Sequence, residues 1–422
     1  MGKNYLLQGK RLLLLGGGSD MISVTKLAQS MGCVVHITDY YDTLRSPAKL
    51  IADKAIDISI FDTEAIVDYI RANGIDGVLT GYTDSYLMQY LKICKAAELP
   101  CYGTERAFGI ATDKMLFKRA CLNSGVGIIP GTNAYDFETV NVFAEQTGYP
   151  LMLKPTDNSG SRGVIKCEKR EDLLRCYEYA KSFSKSKNVI VEKYMDCDSV
   201  VSSYQLSNGK AYLSAFCDRD IYKSKETGSA YTIEARYPSI YTDRYIAEED
   251  YNVRNLLQHN GFLDGMVGIM GYVDQKQFYW CEMTYRPSGG HHYTFIKDQT
   301  GIDGLALLIE FAVTGKTSSY QSEKENPQFN EYYGMIHIPG IAGSTIASIE
   351  GMEAIRGLPY VIEICEELHE NQMIGKDGTT AQTIASFWIK GRNYDEYITH
   401  RDTVKKLFKV YDTNHKQLNI YK

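Results

Sequence analysis

The chain has 422 residues, of which 44% are hydrophobic and 23% charged, with a formal net charge of -6. This length predicts two or three globular domains that bury their own cores. The negative charge argues against non-specific nucleic-acid binding, and no apolar run approaches the roughly 20 residues of a membrane span. The ten cysteines form no CxxC pair, which disfavours zinc-knuckle and thioredoxin-like sites and suits a reducing, cytoplasmic location.

Residues 11–100 alternate short apolar strands with helices, the order typical of a doubly wound parallel sheet. The predicted strands are 11–15, 34–38 and 77–80, and the predicted helices are 23–31, 63–73 and 85–98.

The first strand runs into a glycine-rich turn, and an acidic residue ends the second strand. Gly16, Gly18 and Asp39 fit part of a dinucleotide-binding fingerprint, but Met21 stands where its third glycine belongs. A tight strand-to-helix turn explains these glycines equally well, so a nicotinamide cofactor is the disfavoured alternative.

The rest of the chain mixes strands with helices and predicts an α+β organisation. Lys114 lies near the middle of a predicted helix, 105–125. The further predicted strands are 150–154, 164–167 and 188–195, with hairpins at 200–206/211–217 and 265–273/277–284. Further helices are predicted at 170–184, 301–314, 352–356 and 395–408, with a solvated connection at 318–330.

The strand 150–154 ends in Lys154, and the small, glycine-containing loop 158–163 follows. Pro155 biases Lys154 toward extended backbone, and Gly160 and Gly163 let the loop backbone approach a ligand closely. Backbone N–H groups beside an ammonium group are suited to clustered phosphate oxygens. A plain turn is the alternative interpretation.

The strand 188–195 runs into a charged and aromatic segment. Such a segment can offer backbone groups to a purine edge and apolar faces to its ring, and Asp198 could accept hydrogen bonds from ribose hydroxyls. A solvated strand end is the alternative for Glu192 and Asp198.

The segment 280–290 combines a carboxylate with a guanidinium. Because side chains alternate along a strand, Glu282, Thr284 and Arg286 are expected to share one face. A carboxylate for Mg²⁺ beside a guanidinium for phosphate suits phosphoryl transfer. A partly buried salt bridge at a strand end is the alternative.

In this order and spacing, the segments resemble the ATP-grasp superfamily, with similarity to L-amino-acid ligases and carbamoyl-phosphate-synthase-like members of its carboxylate–amine ligase branch. The resemblance implies an α/β protein. An amino-terminal, doubly wound parallel-sheet domain (the pre-ATP-grasp domain, 1–104) would precede an α+β ATP-grasp nucleotide-binding domain (105–318) and a carboxy-terminal α+β lobe (319–422).

The resemblance also implies roles for individual residues around ATP and Mg²⁺. Lys114 and Lys154 would hold the α- and β-phosphates, and Asn158, Ser159, Gly160, Ser161 and Gly163 would close over the triphosphate. Glu192, Lys193, Tyr194 and Met195 would line the adenine pocket largely through backbone groups, and Asp198 would meet the ribose. Glu282 and Thr284 would bind Mg²⁺, and Arg286 would join Lys154 as a catalytic residue.

Two departures from the family pattern leave the number of metal ions open. Thr284 stands where the family usually has Asn, and the preceding strand has no carboxylate between 267 and 273. The expected function is an ATP-dependent ligase joining a small-molecule carboxylate to an amine or other nucleophile through an acyl phosphate, as a homodimer. The alternatives are a nucleotide-binding protein without ligase activity and a purine- or carbamoyl-phosphate-type enzyme. Arg219, Arg236, His291, His292 and His337 are weaker candidates for contacting a carboxylate.

Overall fold

The computed structural model describes residues 7–157, 163–224 and 230–420. Within these ranges the chain forms a parallel amino-terminal sheet of four strands, followed by antiparallel sheets of four and eight strands, as the predicted α/β class requires. No helix in the described ranges is long and apolar enough to cross a membrane.

The amino-terminal sheet has the order β3-β2-β1-β4, and all its strands are parallel. Its strands are β1 (Arg11–Leu15), β2 (Val34–Thr38), β3 (Lys54–Ile56) and β4 (Gly77–Thr80), flanked by α1 (Met21–Ser30), α2 (Thr63–Asn73) and α3 (Leu87–Ala97). The three predicted strands are confirmed, whereas β3 was missed because it is only three residues long and mostly exposed.

The carboxylate of Asp39 explains the glycine-rich turn after β1. It accepts hydrogen bonds from the backbone N–H of Gly17 at 3.0 Å and from the hydroxyl of Ser46 at 2.8 Å. Asp39 therefore stabilises the turn. This structural role explains why an acidic residue follows β2, and no bound dinucleotide is needed to explain it.

A second sheet of four antiparallel strands follows, in the order β5-β8-β6-β7. Its strands are β5 (Gly131–Ala134), β6 (Leu151–Pro155), β7 (Ile165–Cys167) and β8 (Val189–Lys193), and the helices of this region are α4 (Glu105–Thr112), α5 (Lys114–Asn123), α6 (Phe137–Thr147) and α7 (Leu173–Ser182).

The prediction of one helix over 105–125 is wrong, because the helix breaks at Asp113. The backbone of Asp113 is extended, and its carboxylate caps the next helix by accepting from the N–H groups of Met115 and Leu116. Lys114 is thus the first residue of α5 rather than a residue in the middle of a helix.

The third sheet has eight strands in the order β13-β12-β9-β10-β11-β14-β17-β16. These are β9 (Asp198–Ser207), β10 (Lys210–Lys223), β11 (Ala230–Tyr237), β12 (Gly265–Val273), β13 (Phe278–Thr284), β14 (Tyr332–Pro339), β16 (Val361–Glu366) and β17 (Thr383–Gly391). A small pair is formed by β15 (Ser348–Glu350) and β18 (Lys409–Tyr411). The helices are α8 (Thr242–Glu248), α9 (Asp250–His259), α10 (His292–Thr300), α11 (Gly304–Thr314), α12 (Met352–Arg356) and α13 (Tyr394–Leu407).

Both predicted hairpins, β9–β10 and β12–β13, are confirmed. The large sheet crosses the predicted domain limit at residue 318. Strands β14, β17 and β16, which follow that residue, extend the sheet that β9 to β13 begin. The domain limits at 104 and 318 remain predictions.

Helix α11 packs on the amino-terminal sheet, and a glycine makes this close approach possible. A Cβ atom at Gly77 would lie 1.9 Å from the backbone oxygen of Ala312. Because a backbone atom has little room to move away, β4 accepts only glycine at this position.

We expect Gly77→Ala to lower the free energy of unfolding by about 1–3 kcal/mol through overpacking. Gly18→Ala is the matched control, since a Cβ there meets nothing within 4 Å, and it should change stability by less than about 0.5 kcal/mol. Urea denaturation followed by circular dichroism measures both. Equal stabilities for the two variants would contradict the proposed contact.

Candidate active site

A cavity of about 1300 Å³ is lined by residues of the second and third sheets and by Asp20, next to the glycine-rich turn. Ten of the predicted site residues lie on its walls: Lys114, Lys154, Glu192, Lys193, Tyr194, Met195, Asp198, Glu282, Thr284 and Arg286. The fold therefore brings together positions up to 172 residues apart, although their individual roles remain predictions.

The side chain of Glu192 lies between two lysines in the wall of this cavity. Its carboxylate is 2.5 Å from the ammonium of Lys154 and 2.6 Å from that of Lys118, and Glu192 is only 2% exposed. Lys118 also donates to the backbone oxygen of Ile129 at 2.9 Å. The alternative of a solvated strand end at Glu192 is therefore wrong.

The charges in this group stabilise one another. Burial alone would raise the pKa of Glu192, but the ammonium groups of Lys154 and Lys118 outweigh burial and hold that pKa below its usual value. Burial would likewise lower the pKa of Lys154, and Glu192 instead raises it. Lys154 therefore stays protonated while facing the cavity.

Lys118 is the member of this group that sequence reasoning missed. It lies four residues after Lys114 on the same helix, and residues at that spacing share a face. This spacing was a usable signal for a second lysine at the site. The structure pairs Glu192 with Lys118 on this helix.

The segment after Glu192 is held by backbone hydrogen bonds. The N–H groups of Lys193 and Tyr194 donate to the oxygens of Pro130 at 2.9 Å and Pro150 at 3.1 Å. The ammonium of Lys166 lies 4.1 Å from the centroid of the Tyr194 ring. The segment thus presents an ordered aromatic edge to the cavity, and the expected backbone contacts of Glu192 with an adenine remain a prediction.

Asp198 begins β9, and its carboxylate accepts a hydrogen bond from the hydroxyl of Tyr241 at 2.5 Å. A carboxylate accepts several hydrogen bonds, so Asp198, which lines the cavity, keeps acceptor capacity beyond this one. Tyr241 was not foreseen from the sequence.

Of the predicted phosphate loop 158–163, the structure describes Gly163. Asn158, Ser159, Gly160 and Ser161 lie outside the described residues. Gly163 has a left-handed φ of 80°, and a Cβ there would lie 2.5 Å from the Cβ of Phe183. Packing against Phe183 therefore accounts for this glycine, and its expected approach to a ligand remains a prediction.

Glu282 and Thr284 share the cavity-facing side of β13, as predicted. Opposite Glu282 on β12 lies Met270, and a bulge at Cys281 separates this pair from the next. Among the described residues no three His, Cys, Asp or Glu side chains cluster as a metal-binding set. One carboxylate and one hydroxyl fit a single Mg²⁺ that is completed by phosphate oxygens and water.

Arg286 lines the cavity, but its guanidinium is already engaged. It forms a bidentate salt bridge to Asp84 of the amino-terminal domain at 2.6 and 2.8 Å, and it donates to the oxygen of Pro287. Asp84 was missed, since 202 residues separate it from its partner. A substrate anion at Arg286 would share the guanidinium with this carboxylate.

Comparisons with known proteins agree with this fold and site. Residues 113–313 match the family described as the carbamoyl-phosphate synthase L chain, ATP binding domain. The chain is 25% identical over 290 residues to the formate-dependent phosphoribosylglycinamide formyltransferase of Bacillus subtilis (strain 168), covering 67% of this chain and 72% of that one.

Two solved structures share the fold at low identity. The L-amino acid ligase from Bacillus licheniformis has a TM-score of 0.79 at 17% identity, covering 96% of this chain and 100% of that one. The biotin carboxylase domain dimer of the Hydrogenobacter thermophilus 2-oxoglutarate carboxylase, solved with MgADP and bicarbonate, has a TM-score of 0.78 at 18% identity and covers 97% and 91%.

The match over residues 113–313 supports the resemblance to the ATP-grasp superfamily, since this part of the chain is similar to an ATP-binding domain of that kind. The relatives and solved structures that match the chain are ATP-dependent enzymes of the ATP-grasp type.

We expect Glu192→Gln to lower the free energy of unfolding by about 3–5 kcal/mol at neutral pH, because two buried ammonium groups lose their counter-charge. Since the folded-state pKa of Glu192 is depressed, its contribution is present above the unfolded pKa and is lost as pH falls through the folded value. The difference from wild type should therefore shrink below about pH 4.3.

Urea denaturation across pH measures this difference. Glu105→Gln is the control, because the pair Lys95–Glu105 is exposed and should contribute less than about 1 kcal/mol. A Glu192→Gln effect no larger than that of the control would refute the buried ion cluster.

Proposed function

We propose that the protein is a carboxylate–amine ligase that activates its acid as an acyl phosphate and releases ADP and phosphate. The observation that carries this proposal is the grouping of Lys154, Glu282 and Arg286 around one cavity that also receives the segment from Lys193 to Asp198. Phosphoryl transfer depends on positioning the reactants and on neutralising negative charge. The cavity offers cations and a metal-binding carboxylate for the phosphates of a nucleoside triphosphate, and an ordered aromatic segment for its base.

In the proposed reaction, a carboxylate oxygen of the acid attacks the γ-phosphorus of ATP, and the bond from that phosphorus to the β–γ bridging oxygen breaks, leaving ADP. The nitrogen of the amine then attacks the acyl carbon, phosphate leaves, and the nitrogen loses a proton. Lys154 would hold the β-phosphate and Lys114 the α-phosphate. Arg286 would contact the transferred phosphoryl group.

The adenine would lie against Tyr194 and Met195, and the ribose would meet Asp198. One Mg²⁺ at Glu282 and Thr284 would neutralise charge on the phosphates. Water must be kept from an acyl phosphate, and closure of the loop 158–163 would serve this purpose.

We place the reaction in the cytoplasm and propose a homodimer. The location is supported by the ten cysteines, all of which are free thiols. The dimer is supported by analogy with the biotin carboxylase domain, which was solved as a dimer.

Two alternatives rest on specific observations. An enzyme acting on a phosphorylated purine precursor is favoured by the sequence similarity to a phosphoribosylglycinamide formyltransferase. A nucleotide-binding protein without ligase activity is favoured by the single carboxylate among the candidate metal ligands. Calorimetry with ATP, with and without Mg²⁺, tests the second alternative, which requires binding that is independent of Mg²⁺ and yields no ADP.

The deciding assay follows ADP and phosphate with ATP, Mg²⁺ and panels of acids and amines that include formate, amino acids and phosphoribosylamine-type nucleophiles. We expect at least one acid–amine pair to raise ADP release above background. Failure of every pair, together with tight nucleotide binding, would contradict the ligase proposal.

Lys154→Ala should abolish ADP release, because the ammonium that faces the cavity is lost. Lys95→Ala is the matched control, since Lys95 lies in an exposed ion pair, and it should retain the wild-type rate. Circular dichroism establishes that both variants are folded. Wild-type turnover in folded Lys154→Ala would show that Lys154 does not contact the phosphates.

A further inference from the structure

Arg219 on β10 reaches across the cavity wall to two neighbouring strands. Its guanidinium donates to the hydroxyl of Ser199 on β9 at 2.7 Å and to that of Thr232 on β11 at 3.3 Å, and it lies 3.2 Å from the sulfur of Met270 on β12. Arg219 is therefore fixed by neutral groups at a defined place in the cavity.

The charge of Arg219 is not neutralised by an ion pair with any carboxylate in the described parts of the chain. The adjacent carboxylates have other partners: Asp218 accepts from Ser239 at 2.5 Å, and Asp220 pairs with Arg236 at 2.6 Å. The Nε of Arg219 is buried and has no hydrogen-bond partner in those same parts. A half-buried guanidinium of this kind gains free energy when an anion binds in the cavity.

The contact with Met270 locates this charge relative to the candidate metal site. Met270 lies directly opposite Glu282 in the register of β12 and β13. Paired carboxylates at two such positions would be close enough to hold two metal ions, because opposite side chains lie about 5 Å apart. Here a thioether takes the second position, and a guanidinium lies against it.

Lys154 lines the same cavity from the second sheet, so Arg219 and Lys154 bring positive charge to it from two different sheets.

We propose that Arg219 supplies, as a fixed guanidinium, the positive charge that a second metal ion would bring to the substrate phosphates, so that the site works with one divalent cation at Glu282. This inference rests on the proposed nucleotide site. It assigns Arg219 to anion binding rather than to packing of the sheet.

The first test counts metal ions in the unaltered protein. Mn²⁺ replaces Mg²⁺ and is titrated into protein that holds one equivalent of the non-hydrolysable ATP analogue AMPPNP, and electron paramagnetic resonance measures free Mn²⁺. We expect one bound Mn²⁺ per chain. Two bound Mn²⁺ ions would overturn this inference and leave the proposed nucleotide site intact, whereas absence of AMPPNP binding would overturn both.

Variants then test the role of the guanidinium. Arg219→Ala should weaken AMPPNP binding in calorimetry by about 10- to 100-fold, as expected for loss of a charge-assisted hydrogen bond to phosphate. Arg219→Lys should restore part of this affinity. Arg401→Ala is the control, because Arg401 also lines the cavity but is paired with Glu234 and Asp402, and it should bind AMPPNP as the wild type does.

The double variant R219M/M270E provides a gain-of-binding test that does not depend on lost activity. A carboxylate opposite Glu282, with the guanidinium removed, should raise the count from one to two bound Mn²⁺ per chain. Unchanged AMPPNP affinity in folded Arg219→Ala, or a count of one in the folded double variant, would contradict the inference.

Discussion

The site depends on one buried carboxylate. Glu192 lies in the central part of the second sheet and joins Lys118 of α5 to Lys154 of β6, so that a helix and two strands share one ion cluster. Two ammonium groups against one carboxylate leave a net charge of about +1 in a low-dielectric environment, where its influence extends further than in water. Lys154 presents this surplus charge to the cavity, which is the physical basis for polyphosphate binding there.

A second group of contacts holds the part of the cavity wall that β13 forms. Tyr285 follows β13 and is fully buried, with its hydroxyl within hydrogen-bond distance of backbone groups of Tyr102, Leu263 and Asp264. The next residue, Arg286, bonds to Asp84 of the amino-terminal domain. The end of β13, which carries Glu282 and Thr284, is therefore held against that domain.

The sequence predicted the strands with clear apolar patterns and the order of the motifs, because both are local properties. It did not predict β5, whose sequence Gly131–Ala134 has little apolar character, or the charged helices α8 and α9. It placed Lys114 inside a helix because the cap at Asp113 was not recognised. In the site, the contacts of Arg219 with Met270 and of Arg286 with Asp84 join residues 51 and 202 positions apart, and no local pattern carries such information.

A crystal structure of the protein with AMPPNP and Mg²⁺ is the most direct test of phosphate binding at Lys154. We expect the polyphosphate within hydrogen-bond distance of the Lys154 ammonium, while Lys154 keeps its contact with Glu192, and the base beside Tyr194 and Met195. A nucleotide bound elsewhere, or phosphates remote from Lys154 with the Glu192 cluster intact, would contradict this expectation.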